Sequence, residues 1–182
     1  MSARKISRIS LGRAVRGFAV NRKGDAAMQF ALVGVPFFMM VFAIVETALM
    51  FFAQQALETA TQQTARLILT GQAQTANFTQ AQFKTALCAN LASFFNCASG
   101  VYINVQNFST FGNVSITTPI DGSGNFVNNF SYSPGTAGSI VVVQAFYLWP
   151  LFVTGLGYNI ANVNGSYRLL AATTTFRNEP YS

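Results

Sequence analysis

The hydrophobic pattern sets an uncharged N-terminal segment apart from the rest of the chain. Residues Ala26 to Val45 carry no charge over 20 positions, and only Gln29 among them is strongly polar. At about 1.5 Å per residue, roughly 20 helical residues cross the ~30 Å hydrocarbon core of a bilayer. The pattern therefore predicts a membrane-spanning helix.

Two other interpretations of this segment are a buried helix of a soluble protein and a cleaved secretory signal. The apolar part of a signal peptide usually has about 7–15 residues and ends at small residues. Here apolar character resumes after Glu46 and continues to Ala53, with no convincing cleavage pattern. A retained anchor at 26–53 fits the pattern better than either alternative.

Helical spacing continues beyond this anchor. The apolar positions of the following stretch are Ala53, Ala56, Leu57, Ala60, Leu67 and Ile68. No proline interrupts residues 54–69, and Gly71 is a plausible terminator. One helix is therefore expected from about Ala26 to Leu69, with Pro36 kinking or loosening it inside the membrane.

The rest of the chain predicts one more helix and then strands. Thr79 is an N-cap candidate for an amphipathic helix that runs to about Phe95. The segments rich in β-branched and aromatic residues are 102–108, 140–146 and 167–176, and residues 109–139 have the composition of loops. Helices followed by strands predict an α+β domain over residues 54–182, with a second helix and a few antiparallel strands.

The two cysteines flank the expected end of the second helix. In an oxidising, exported compartment, cysteines this close usually pair, so Cys88 and Cys97 are expected to form a disulfide if the domain is exported. A metal site is the rival interpretation. Two thiols in a chain without histidine make that improbable.

Composition disfavours catalysis. Charged residues make up 9% of the chain, and it has no histidine and five carboxylates. Imidazole bases and Ser-His or Cys-His pairs are therefore excluded. No catalytic residue, cofactor or metal ligand is expected. Asp121 and Glu179 remain the candidates for a distant enzymatic alternative, and the loop at Asp121 predicts a turn rather than a calcium site.

Basic residues are concentrated at the start of the chain. Seven of the 11 lysines and arginines lie within the first 23 positions. Beside a membrane span, this excess predicts a cytoplasmic arm at 1–25 and export of the domain that follows the span. Nucleic-acid binding is the other use of a basic arm, and the topogenic interpretation is the stronger one, so no nucleic-acid partner is expected.

Small and charged residues within the span mark possible helix contacts. Gly34 and nearby alanines would permit close packing against another membrane helix. Glu46 is a costly residue near the outer end of the span. It is expected either at the headgroup level or paired with a neighbouring helix during assembly.

Several motifs together are distinctive: Lys23 to Val33 (KGDAAMQFALV), Pro36, Ile44 to Glu46, Phe51 to Gln55, Ala65 to Gln74 (ARLILTGQAQ), the spaced cysteines and the ending Phe176 to Tyr181. This set of motifs resembles the TadE-like family of tight-adherence (Tad/Flp) pilus assembly proteins. The resemblance is strongest from Gly24 to Gln74. It implies a pilin-like minor subunit (a pseudopilin) of the bacterial inner membrane, with its C-terminal domain in the periplasm. The implied partners are membrane lipids, other pilin-like subunits and pilus assembly platform proteins.

The resemblance also raises the question of processing by a prepilin peptidase. Some family members are cut after a glycine that precedes the apolar helix, with glutamate five residues beyond it. Gly24 matches the glycine, whereas Gln29 replaces the glutamate and Asp25 is an unusual first residue. Cleavage is therefore an open expectation. The alternative function is a permanently anchored periplasmic binding or sensor module that never enters a fibre.

Overall fold

The computed structural model describes residues 24–116, 118–153 and 158–181. Its helices are α1 (Asp25–Leu69), α2 (Gln72–Thr75), α3 (Gln80–Ala89) and α4 (Cys97–Gly100), with a 3-10 turn at Phe111–Asn113. Its strands are β1 (Val101–Phe108), β2 (Ile140–Pro150) and β3 (Tyr167–Arg177). The predicted α+β class, with a long N-terminal helix and antiparallel strands, is confirmed.

The long helix α1 has nearly the predicted bounds. It includes Pro36 and ends at Leu69, before the left-handed residue Gly71, whose φ is 77°. It is the one helix of the described residues that is long and apolar enough to cross a membrane.

Helix α3 begins as predicted and ends six residues earlier than predicted. The Thr79 side chain accepts from the Gln82 amide, and the Gln82 side chain accepts from the Thr79 amide, which forms a capping box. The helix stops at Ala89, because Asn90 caps it and its side-chain amide donates to the Ala86 carbonyl. The turn that follows delivers Phe95 into the core, where it is buried.

The three strands form one antiparallel sheet in the order β1-β2-β3. Val105 lies opposite Val143, and Val143 lies opposite Thr174. Strand β2 extends to Pro150, beyond the predicted end at Phe146, because β3 continues to pair with it as far as Tyr167. Proline is tolerated there since it occupies the last position of the strand.

Each face of the sheet has its own apolar cluster. On one face, Val143 and Val105 belong to a core with Leu57 and Ile68 of α1 and Phe83 of α3. On the other face, a smaller cluster is built from Phe146, Val163 and Leu169, with Phe126 and Phe130 of the long loop packed against it. The Asn104 amide donates to the Gln144 side chain at 3.1 Å, so both of these buried polar groups are paired.

The chain divides into two compact units within α1. The first is Met1–Phe42, of which residues 24–42 are described, and the second is Ala43–Ser182. The apolar side chains of residues 26–42 are almost all exposed, whereas Met50, Ala53 and Leu57 of α1 lie in the core of the second unit. The C-terminal part of α1 is therefore a structural element of the α+β unit.

Candidate functional site

The first unit presents an apolar groove around Gly34. Its volume is about 340 Å³, and it is lined by Phe30, Ala31, Gly34, Val35, Phe38, Met39 and Phe42. A Cβ added at Gly34 would lie 3.6 Å from the Phe30 ring, which is ordinary contact distance. Gly34 is buried at the floor of the groove, because the side chains that line the groove around it are large. Such a surface can take a ridge from another apolar helix.

The residues of the expected cleavage site lie at the start of α1. Gly24 directly precedes α1, and among the described residues no atom lies within 4 Å of the position its Cβ would take. Asp25 stands in the first turn, where its negative charge is favourable beside the helix N-terminus. Gln29 is exposed on the helix surface.

Glu46 lies in the second unit and is 6% exposed. Its carboxylate accepts hydrogen bonds from the backbone amides of Phe152 and Val153, the latter at 3.1 Å. The neighbouring Thr47 hydroxyl is hydrogen-bonded to the Tyr158 hydroxyl. The segment after β2 therefore packs on α1 at Glu46. No pattern near Glu46 signals this contact, since its partners lie about a hundred positions away.

The cysteines close the turn between α3 and α4. Cys88 and Cys97 form a disulfide, with their Cα atoms 5.9 Å apart. Cys88 lies in the last turn of α3 and Cys97 is the first residue of α4. The bridge therefore holds the segment that carries Phe94 and Phe95.

A polar cleft of about 330 Å³ lies between α3 and the start of β1. Its polar lining comes from Gln80, Lys84, Ser99, Tyr102 and Asn128. The Lys84 ammonium donates to the Ala98 carbonyl at 3.0 Å, and partial burial lowers the pKa of Lys84 below its ordinary value. Lys84 is the one charged residue in this lining.

Asp121 organises its own loop. Its carboxylate accepts from the backbone amides of Ser123 and Asn125 at 2.9 and 2.8 Å. These bonds, above all those from Asn125, lower the pKa of Asp121. This is the turn that the sequence predicts at Asp121. Within the described residues, no group of three or more His, Cys, Asp or Glu side chains is placed to hold a metal ion.

Comparison with known proteins identifies the N-terminal helix. No curated protein and no solved structure matches the chain. Residues 24–66 match the family model described as TadE-like protein. The match covers α1 almost to its end and leaves the sheet outside it. The resemblance predicted from the sequence is confirmed over this segment, and residues 24–66 are similar to the TadE-like proteins.

Proposed function

We propose that this protein is a non-enzymatic, single-pass inner-membrane subunit of the pseudopilin type that serves the assembly of a Tad pilus. The observation that carries the proposal is the exposed apolar surface of α1 within the segment that matches the TadE-like model. The basic arm stays in the cytoplasm, and the second unit lies in the periplasm.

The groove around Gly34 supports helix-to-helix assembly as the working step. Leu32 and Phe37 are more than half exposed on the same helix, so its surface offers both a notch and ridges. Lipid tails are as apolar as these side chains, so association depends on fit rather than on removal of apolar surface from water. A platform helix or another pilin-like helix would supply the complementary ridge, and Pro36 would set the local bend.

The assembly step is tested by filling the notch. Gly34→Leu should abolish pilus assembly while the protein level stays normal. Val33→Leu is the matched control, because Val33 is exposed on the same helix and does not line the groove. Photo-crosslinking from position 38 should capture another subunit in the native chain and lose it in Gly34→Leu. Normal piliation of Gly34→Leu would refute the proposed contact.

Processing after Gly24 is proposed as part of the same route, with prepilin peptidase as the partner. The support is the match of Gly24 to the glycine of the cleavage pattern and its position directly before α1. The mature N-terminus should begin at Asp25 only in cells that hold the peptidase. If the basic arm is retained in both strains, the protein is a permanent anchor and not a pseudopilin.

The cleft beside Lys84 favours one second candidate, a permanently anchored binding module. Its single cation and its amide and hydroxyl groups would suit a small anionic ligand. Native mass spectrometry of the purified full chain distinguishes the candidates. A bound small molecule that Lys84→Met removes would favour the binding module, and an unliganded chain would favour the assembly subunit.

A further inference from the structure

Four exposed phenylalanines of the second unit, named here the aromatic collar, lie on α1 or on segments that contact it. They are Phe51 and Phe52 of α1, Phe94 of the disulfide-bridged turn, and Phe152 after β2. Phe152 is 83% exposed and Phe51 is 64% exposed. The ring centroids of Phe52 and Phe94 are 5.8 Å apart, and that of Phe94 is 6.2 Å from Trp149. Three segments distant in sequence therefore contribute to this surface.

The hydrogen bonds of Glu46 allow the region around the collar to lie in an apolar medium. Its carboxylate is nearly buried and is satisfied by the backbone amides of Phe152 and Val153. The same hydrogen bonds hold Phe152 beside α1. A charge and two backbone donors that would each be costly in an apolar medium thus satisfy one another.

The sequence places the collar at the depth of the lipid headgroups. The predicted anchor at 26–53 amounts to about 42 Å of helix at 1.5 Å per residue. That length matches the ~40–45 Å thickness of a bilayer with its headgroup regions. Phe51 and Phe52 lie at the outer end of this anchor. Polar residues begin on α1 directly beyond, at Gln54 and Gln55.

We propose that the collar docks the second unit onto the outer surface of the lipid bilayer. The proposal rests on the proposed membrane topology. Lipid is the occupant that the chain's own continuity supports, because the collar begins where the candidate span ends and consists of rings that partition into the interface. A surface of large exposed apolar side chains on a folded unit is otherwise unfavourable in water.

The test uses tryptophan quenching by brominated phosphatidylcholine in vesicles that hold the full chain. Trp149 is the single tryptophan, so Trp149→Phe provides a silent background. Into it are placed, one at a time, Phe152→Trp in the collar, Phe38→Trp in the candidate span and Phe111→Trp as the matched control. Phe111 is 61% exposed and follows the end of β1 that pairs with Ile140, the opposite end of the sheet from Trp149.

Brominated lipid should quench Phe38→Trp and Phe152→Trp strongly and leave Phe111→Trp nearly unchanged. Quenching of Phe38→Trp without Phe152→Trp would overturn the docking and leave the span intact. Absence of quenching at Phe38→Trp would instead overturn the proposed topology. Equal quenching of Phe152→Trp and Phe111→Trp would overturn the collar as a specific surface.

The native chain gives an independent measurement if the Trp149→Phe background fails to fold. Trp149 lies directly behind Phe94, so shallowly brominated lipid should quench its emission in the unmodified protein. Adding Phe152→Lys and Phe52→Lys together should reduce this quenching by lifting the collar from the interface. Unchanged quenching in the double variant, or crosslinks that show a second copy covering the collar, would contradict the proposal.

Discussion

Gly71 ends α1 at a position where a side chain does not fit. Its φ is 77°, and a Cβ added there would lie 2.3 Å from the Tyr181 ring. Gly138 also has a φ of 77°, but the nearest atom to its Cβ position is 3.8 Å away. A comparison of alanine substitutions at the two glycines therefore distinguishes the cost of backbone strain from the cost of steric overlap.

Gly71→Ala should destabilise the protein more than Gly138→Ala does. Both variants incur about 1–2 kcal/mol for the left-handed backbone, and Gly71→Ala adds about 1–3 kcal/mol from overpacking against Tyr181. Urea unfolding followed by Trp149 fluorescence measures both. Equal losses would show that the Tyr181 ring moves aside freely.

Tyr132 should show a raised pKa and a matching loss of stability at high pH. Burial raises the pKa of Tyr132 from 10.0 to about 12. The folded state thus favours the neutral phenol, so this contribution is full below pH 10 and is lost as the pH rises through about 12. Tyr132→Phe should remove that dependence. It should leave neutral-pH stability unchanged or slightly higher, because the hydroxyl is buried without a partner among the described residues.

The sequence alone indicates that Gly71, Glu46 and both cysteines have structural roles. It does not predict all the residues that they contact. Gly71 was predicted as a terminator from its position after an apolar helix. The Tyr181 ring above it could not be predicted, since Tyr181 comes from the other end of the fold. The Glu46 contact with Phe152 was missed for the same physical reason.

At the scale of elements, local signals predict the start of α3 and the end of α1, whereas pairing between distant segments determines the end of β2. The capping residue Thr79 was readable from the sequence, because capping is an interaction over three residues. The end of α3 and the last residues of β2 were not readable. The Asn90 cap ends α3 although apolar spacing continues to Phe95, and the end of β2 depends on the length of β3, which lies outside any local window.

Thr79→Ala should destabilise the protein by about 1 kcal/mol, because the Gln82 amide loses its acceptor. Thr85→Ala is the control within α3. Its hydroxyl only bonds back to the Ala81 carbonyl, so alanine there should be neutral or slightly stabilising. Denaturant midpoints of the two variants give the comparison. A larger loss for Thr85→Ala would mean that capping does not govern α3.

At the scale of the molecule, the α+β class and the long helix were predictable, because apolar periodicity and length are strong signals. The position at which the compact C-terminal unit begins was harder to read. That unit starts at Ala43, well inside the apolar stretch. Apolar residues at these positions are expected both in a membrane-spanning segment and in a protein core. Composition alone therefore does not show where the span ends and the core begins.

A fragment of residues 43–182 should be more stable than one of residues 54–182. The shorter fragment loses Glu46, Met50 and Ala53, all of which are buried. Loss of large core side chains costs about 2–5 kcal/mol. Thermal unfolding in mild detergent, followed by circular dichroism, compares them. Equal midpoints would show that residues 43–53 contribute nothing to the fold.

The end of β3 and the residues after it pack against α1, the first helix of the structure. The Glu179 amide donates to the Leu69 carbonyl, and β3 completes the core on Leu57 and Ile68. In the proposed topology, α1 enters the membrane first. The face of α1 that is buried in the folded protein stays uncovered until residues 167–181 have been exported. Native contacts of such long sequence separation form late. In that topology, export would produce a transient chain with an exposed apolar helix face, for which periplasmic chaperones and proteases would compete before it folds.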